Sequence, residues 1–462
     1  MRFIQSFVGG LLLSFVLTAG LAQPVTFYLT DPVGKVLFRP QPAPMMGRVT
    51  AGQPIIRVNA GQTYQPIDGF GYTLTGGSAQ LLARMTPAAR KALLTELFSP
   101  AGTGIGVSYL RISIGASDLD DRVFSYDDLP AGQTDPALRR FSLAPDRAAL
   151  IPVLREILTI NPALRILGSP WSPPVWMKTN GSSKGGSLKP AYYGAYAAYF
   201  VRYIQQMAQA GIRIDAVTLQ NEPLHPGNNP SLLMLPAEQA LFIKKHVGPA
   251  FRAAGLKTKI ILYDHNADRP DYPISILNDA EARRYVDGSA FHLYAGPIDT
   301  LAKVHAAHPD KNLYFTEQWI GAPGNLTGDL AWHVRHLIIG ATRNWCRTVL
   351  EWNLAADPAQ QPHTPGGCTQ CLGALTLDGN TVTRNPAYYI IALAAKFVRP
   401  GSVRIESNLP AGLPNVAFRT PTGRHALIVL NETATARAFT IADGNRQFST
   451  TLPPGAVGTF VW

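Results

Sequence analysis

Carboxylates recur in this sequence just after short apolar runs. Val217-Thr218-Leu219 leads into Gln220-Asn221-Glu222-Pro223, and Leu313-Tyr314-Phe315-Thr316 leads into Glu317-Gln318-Trp319. Val349-Leu350 leads into Glu351-Trp352-Asn353, and Ser117-Asp118, Trp171, Asp264-His265-Asn266, His292 and Tyr294 close other runs of the same kind. Any one of these is explained by a polar strand end that caps a helix or meets water. Together they bring carboxylates, amides, a tyrosine and several tryptophans to one rim. Two carboxylates across a polar groove suit glycoside hydrolysis. One protonates the leaving oxygen, and the other stays ionised and attacks the anomeric carbon. Tryptophan rings offer apolar faces to a sugar's C–H surface, while Asn, Asp and His satisfy its hydroxyls. No H-E-x-x-H metal motif occurs, and neither a metal nor a cofactor is expected.

The elements that would hold this rim follow one rhythm. Eight candidate strands lie at 67–74, 108–115, 165–171, 216–223, 259–266, 289–295, 312–319 and 348–354. Helical segments separate them. Thr86 as N-cap with Pro87 at the first helical position opens one. Tyr196, Phe200, Tyr203 and Met207 fall at helical spacing in another, over 190–210. Alternating strands and helices predict a parallel sheet, and eight units over about 290 residues suit a (β/α)8 TIM barrel within the α/β class. The rival, an open doubly wound sheet that binds a dinucleotide, needs G-x-G-x-x-G after its first strand. Here that place reads Gly69-Phe70-Gly71. After about residue 395 short alternating strands replace the rhythm, and the stretch before the barrel is strand-like too. The expected organisation is a leader at 1–22, N-terminal strands at 23–62, a catalytic barrel at 63–394 and a β-sandwich at 395–462 completed by both chain ends.

With 462 residues, 46% hydrophobic and 15% charged, the chain has the apolar material for a large core, and global disorder is excluded. Arg2, the apolar run 7–18 and the small-residue pattern Gly20-Leu21-Ala22 read as a secretory leader, since about 20 apolar residues are needed to span a bilayer. The mature protein is expected to be secreted or periplasmic, without a transmembrane segment. The net charge of +11 comes without a long Lys/Arg run, so no nucleic-acid partner is expected. Of the three cysteines, Cys368 and Cys371 form a lone C-x-x-C with only His363 close by, short of the four ligands of a structural zinc. In an exported protein a local Cys368–Cys371 disulfide is the better reading, with Cys346 free and buried.

The segments GFGYTLT (69–75), LRISIGASDLDDRVFSYDD (110–128), SPWSPPVWMKTNG (169–181), TLQNEP (218–223), FHLYAG (291–296), FTEQWIG (315–321) and EWNLAADP (351–358) occur in one order. With them the chain resembles glycoside hydrolase family 30, which includes lysosomal-type glucosylceramidases and microbial β-1,6-glucanases. The resemblance implies retention of anomeric configuration, with Glu222 as acid/base and Glu317 as nucleophile. It places Asp118 and Trp171 on the glucose of the −1 pocket, Asn221 on the sugar's 2-hydroxyl, and Tyr294 and His292 around the nucleophile. Trp352 and Asn353 are expected to touch substrate from the eighth strand. Asp264 is read as orienting its neighbours, and Glu351 as structural. Lys178, Thr179 and Asn180 belong to the loop after Trp171. The implied partner is a β-glucoside. A glucosylceramidase-like β-glucosidase acting on a glycolipid is the first reading, an endo-β-1,6-glucanase its rival, and a non-catalytic glycan-binding protein the reading from another class.

Overall fold

The computed structural model describes residues 25–47 and 52–462, so the expected leader lies outside the described residues. Eight parallel strands close a barrel: β1 (Gly69–Leu74), β2 (Tyr109–Ser113), β3 (Arg165–Ser169), β4 (Ala216–Thr218), β5 (Lys259–Asn266), β6 (Val286–His292), β7 (Asn312–Glu317) and β8 (Cys346–Glu351). β8 returns to β1 through the pairing of Thr348–Glu351 with Gly69–Tyr72. This is the (β/α)8 barrel that the rhythm predicts. The helix opened by Thr86 runs over Pro87–Phe98, with Thr86 Oγ1 accepting from the Ala89 amide. The helix Tyr193–Gln209 buries Tyr196, Phe200, Tyr203 and Met207, the stripe that its spacing marks. Among the described residues no helix is long and apolar enough to cross a membrane.

The strands fill the barrel in layers. Tyr109, Leu167, Ala216, Ile261, Ala290, Tyr314 and Leu350 form one buried apolar cluster, one residue from each of seven strands. Side chains on a strand alternate between faces, so the next inward layer lies two residues further on. That layer is Arg111, Ser169, Thr218, His292 and Thr316, with Trp352 just past the end of β8. β5 departs from the count. Ala290 pairs with Tyr263 but Phe291 pairs with His265, so Asp264 is an extra residue. Tyr263 and Asp264 both have positive φ, 73° and 69°. This bulge turns Asp264 inward where plain alternation would put Tyr263. β7 is irregular in the same way: Phe291 pairs with Phe315 and His292 with Glu317.

Beside the barrel lies a ten-stranded all-β unit. Thr26–Asp31 pairs with Val457–Val461, and Ile55–Pro66 lies between Val403–Ser407 and Arg437–Asp443. Both chain ends therefore build it, around a core that includes Phe27, Ile56, Phe439, Phe448 and Phe460. Phe460 is the junction of that core: its ring stacks on Phe27 at 4.5 Å and meets Phe439 and Phe448 at 6.2 and 6.3 Å. Phe460→Ala is expected to cost about 3–5 kcal/mol in urea unfolding. A loss under about 1 kcal/mol would show that the two chain ends are held by something else.

Candidate active site

The polar layer is organised around Arg111, which has no exposure to solvent. Its Nη1 donates to Glu317 Oε2 at 2.5 Å, and its Nη2 to Asp264 Oδ2 at 2.8 Å and Asn221 Oδ1 at 2.6 Å. The guanidinium also lies 4.8 Å from the Trp171 ring and 5.9 Å from the Trp352 ring, and these two rings stack on one another. Asp264 is the counterweight. Its two oxygens accept from Arg111, Ser169 Oγ, Thr218 Oγ1, Thr316 Oγ1 and His292 Nε2. Burial opposes its charge, but Arg111 and these donors hold the carboxyl well below the usual range.

Above this layer stand the two glutamates. β4 is only three residues long, shorter than the expected 216–223. Beyond it the Asn221 amide donates to Pro170 O, and the Glu222 amide donates to Asp264 O at a left-handed φ of 45°. This turn, rather than continued pleating, sends Glu222 into the cleft. Glu317 accepts from Tyr294 Oη at 2.9 Å as well as from Arg111. His292 Nδ1 lies 3.2 Å from Glu222 Oε1 and 3.8 Å from Glu317 Oε1. Burial works against a charged His292, but Glu317, Asp264 and Glu222 outweigh it and push the imidazole up to about 9. Burial raises Glu317, with Glu222 adding to the rise against His292 and Arg111. At Glu222 the burial is outweighed by His292, which draws it down. The glutamates and the imidazole thus hold their protons as one coupled group.

The cleft is a cavity of about 470 Å³ lined by Asp118, Trp171, Asn221, Glu222, Tyr294, Glu317 and Trp352, among others. His292 lies just beneath, against both glutamates. The structure does not bring Asn353 to this lining. Its φ of 63° turns the chain at the end of β8, and its Oδ1 accepts from Ser78 Oγ instead. Glu351 faces away from the cleft and pairs with His333. Lys178 is also outside the lining. Its Nζ donates to Ser172 Oγ, Ser183 O and Ser231 O, tying two loops together. Sequence reasoning missed Arg111, although an arginine two residues beyond a buried apolar position in LRIS is the signal that finds it. It also missed the wall built by Gly366, Gly367, Cys368 and Cys371. Cys368 and Cys371 are disulfide-bonded and Cys346 is free and buried. The Cys368 amide donates to Asp118 Oδ2, whose carboxyl burial pushes up to about 7.

Comparison with known proteins fits this geometry. The profile of the glycosyl hydrolase family 30 TIM-barrel domain matches residues 67–398, and that of the family's β-sandwich domain matches 401–460. The chain belongs to glycoside hydrolase family 30. Among family 30 relatives, endo-1,6-β-D-glucanase neg1 of Aspergillus fumigatus is 32% identical over 98% of both chains. The endo-1,6-β-D-glucanase of Neurospora crassa is 36% identical over 85% of this chain and 84% of that protein. The mouse lysosomal acid glucosylceramidase is 29% identical over 86% and 81%. The solved structure of the endo-β1,6-glucanase BT3312 superposes with a TM-score of 0.88 at 36% identity, covering 95% of this chain and 99% of that one.

One group in this family 30 site has the donors of a cation site. Oxygens of Glu222 and Glu317 and a nitrogen of His292 lie within 4.8 Å of one another, the one such set among the described residues. Both imidazole nitrogens are already engaged, however, with Glu222 and Asp264, and a metal ligand must be the neutral imidazole. The set fits a proton-sharing cluster better than a metal.

Two expectations follow. Arg111→Met leaves Asp264 and Glu317 as uncompensated buried charges, a loss of about 3–5 kcal/mol in denaturant unfolding. Turnover should fall with it, and Arg111→Lys should recover stability better than activity, because one ammonium cannot reproduce the planar fork. Unchanged stability in Arg111→Met would refute the role given to the guanidinium. The raised pKa of His292 makes its contribution to stability full below the ordinary 6.5 and lost as pH rises through about 9. The stability gap between wild type and His292→Gln should therefore narrow from pH 6.5 to 9. A gap that stays constant across that window would contradict a charged His292.

Proposed function

We propose that this family 30 hydrolase is a retaining endo-β-1,6-glucanase that works by double displacement through Glu317 and Glu222. The observation that carries the mechanism is the spacing of the glutamates, whose oxygens approach within 4.8 Å. That proximity fits the about 5–5.5 Å between carboxyl groups in retaining enzymes better than the about 6.5–9.5 Å of inverting ones. Glu317 is the nucleophile in this reading. Arg111 and Tyr294 donate to its two oxygens, which opposes the rise that burial causes and fixes a lone pair toward the sugar. Glu317 forms a bond to the anomeric carbon while the glycosidic bond breaks, and Glu222 gives its proton to the departing oxygen. A water then attacks the anomeric carbon, loses its proton to Glu222 and releases Glu317. His292 Nδ1, 3.2 Å from Glu222 Oε1, supplies the proton that Glu222 hands to the departing oxygen and takes it back from Glu222 after the water step.

The other lining groups serve binding. Arg111 holds Asn221 Oδ1, which leaves the amide Nδ2 to donate to the sugar's 2-hydroxyl. Trp171 Nε1 is buried and has no hydrogen-bond partner among the described residues, so it suits a sugar hydroxyl. Asp118 accepts from another hydroxyl, and Trp352 packs behind Trp171. Asn353 drops out of this set and acts as a strut between the end of β8 and the helix Gly76–Arg84 that follows β1.

The glucan reading takes precedence over the glycolipid reading that the sequence put first. The two fungal relatives named as endo-1,6-β-D-glucanases are 32% and 36% identical, against 29% for the mouse glucosylceramidase. Export is inferred from the leader pattern and from the Cys368–Cys371 disulfide, which belongs to an oxidising compartment.

Hydrolysis of a pustulan-type β-1,6-glucan, micellar glucosylceramide and an aryl β-glucoside should be measured side by side. Rapid shortening of the polymer to mixed oligosaccharides is expected; activity confined to the lipid would restore the glucosylceramidase reading. Glu317→Gln should lose at least about a thousandfold in kcat on every substrate. Glu222→Ala should impair the polymer far more than a glucoside with an activated leaving group, because only the former needs the proton. Equal impairment of both substrates would remove Glu222 from the role of acid.

A further inference from the structure

Six large hydrophobic side chains are exposed among the described residues, and three of them line one crease. They are Tyr294, Trp332 and Leu409, exposed by 39%, 38% and 54%. Scattered exposed apolar residues mean little, whereas a cluster in a concave surface marks a binding site. The crease encloses about 590 Å³. One wall is the loop that follows β6, from Leu293 to Asp299. A second is the helix Leu326–His333 with its continuation Val334–Ala341, and the third comes from Leu409 and Pro414 of the all-β unit. His336 packs against the Trp332 ring at 4.8 Å and helps to fix its plane.

The crease and the catalytic cleft share one lining residue. Tyr294 lines both cavities, and its hydroxyl donates to Glu317. Tyr294 is thus the crossing point for a chain that passes from the cleft to the crease. The polar groups there are Asp299, Arg335, His336 and Arg343. Such groups donate to and accept from sugar hydroxyls, but desolvating them against hydrocarbon is costly. A partly open indole suits one face of a pyranose ring.

We propose that this crease is a distal subsite for the glucan chain, with Trp332 as the platform for a glucose unit remote from the scissile bond. The inference rests on the glucanase reading above. A 1,6 linkage adds a rotatable exocyclic bond, which lets the chain bend over Tyr294 and settle on Trp332.

The test compares kcat/KM on pustulan-type β-1,6-glucan with kcat/KM on an aryl β-glucoside too short to reach the crease. In Trp332→Ala the polymer-to-aryl ratio should fall about tenfold, the loss of one good stacking contact. Trp332→Phe should restore most of it, which a purely architectural role would not predict. An unchanged ratio overturns the subsite, and so does an equal loss on both substrates. A loss confined to micellar glucosylceramide would make the crease a lipid groove and overturn it as well. If the wild type does not cleave the polymer at all, the glucanase reading fails and the subsite falls with it. If the wild type cleaves the polymer but the ratio does not move, the subsite alone fails.

Discussion

A guanidinium sealed inside the barrel imposes the main constraint on this structure. Burying an ion costs several kcal/mol unless its partners are placed well, and removing any partner leaves a charge with no compensation. Arg111 meets that demand with Asp264, Glu317 and Asn221, and with two indole rings beside it. The proposed nucleophile and the proposed 2-hydroxyl ligand are thus fixed by one planar group. Asp264 extends the constraint to Ser169, Thr218, Thr316 and His292. Through His292 it reaches Glu222. The two glutamates come from β7 and from the turn after β4, yet one hydrogen-bonded unit sets both.

The backbone pays a conformational price for this arrangement at a few positions. Asp264 reaches the interior because β5 bulges, and Thr316 and Glu317 both reach it, though adjacent in sequence, because β7 is irregular beside β6. Glu222 sits at a positive φ that a non-glycine residue adopts rarely. Irregular backbone of this kind gathers at functional sites, where surrounding contacts over-determine it. Here those contacts are the amide of Glu222 on Asp264 O and the five donors on the Asp264 carboxylate.

Much of this was legible in the sequence. Eight apolar runs alternating with helical stretches specify the barrel, and polar residues at their ends mark its catalytic rim. Glu222, Glu317, Asp118, Trp171, Asn221, Tyr294 and Trp352 do converge on one cavity, with His292 beneath it. What strand rhythm cannot convey is local departure from rhythm. Plain alternation on β5 points Tyr263 inward and gives Asp264 no place in the centre. Asn353 reads as a rim residue by position, yet a left-handed turn hands it to Ser78. The disulfide-closed wall at 366–371 comes from a loop with no periodic signal. Arg111 was the exception that could have been found, since a charged residue on the inward face of a barrel strand calls for buried partners. Substrate choice is a matter of loops and surface creases, and there the sequence rhythm is silent.

The central claim is that Glu317, held by Arg111 and Tyr294, attacks the sugar carbon. The most direct measurement is covalent trapping with a 2-deoxy-2-fluoro-β-glucoside that carries an activated leaving group, followed by peptide mapping in a mass spectrometer. The fluorine slows both steps, while the good leaving group lets the first proceed, so the glycosyl-enzyme accumulates. The expected result is a single fluoroglucosyl adduct on Glu317, absent from Glu317→Gln. An adduct on Glu222, or rapid turnover to an inverted product with no adduct, would contradict the account.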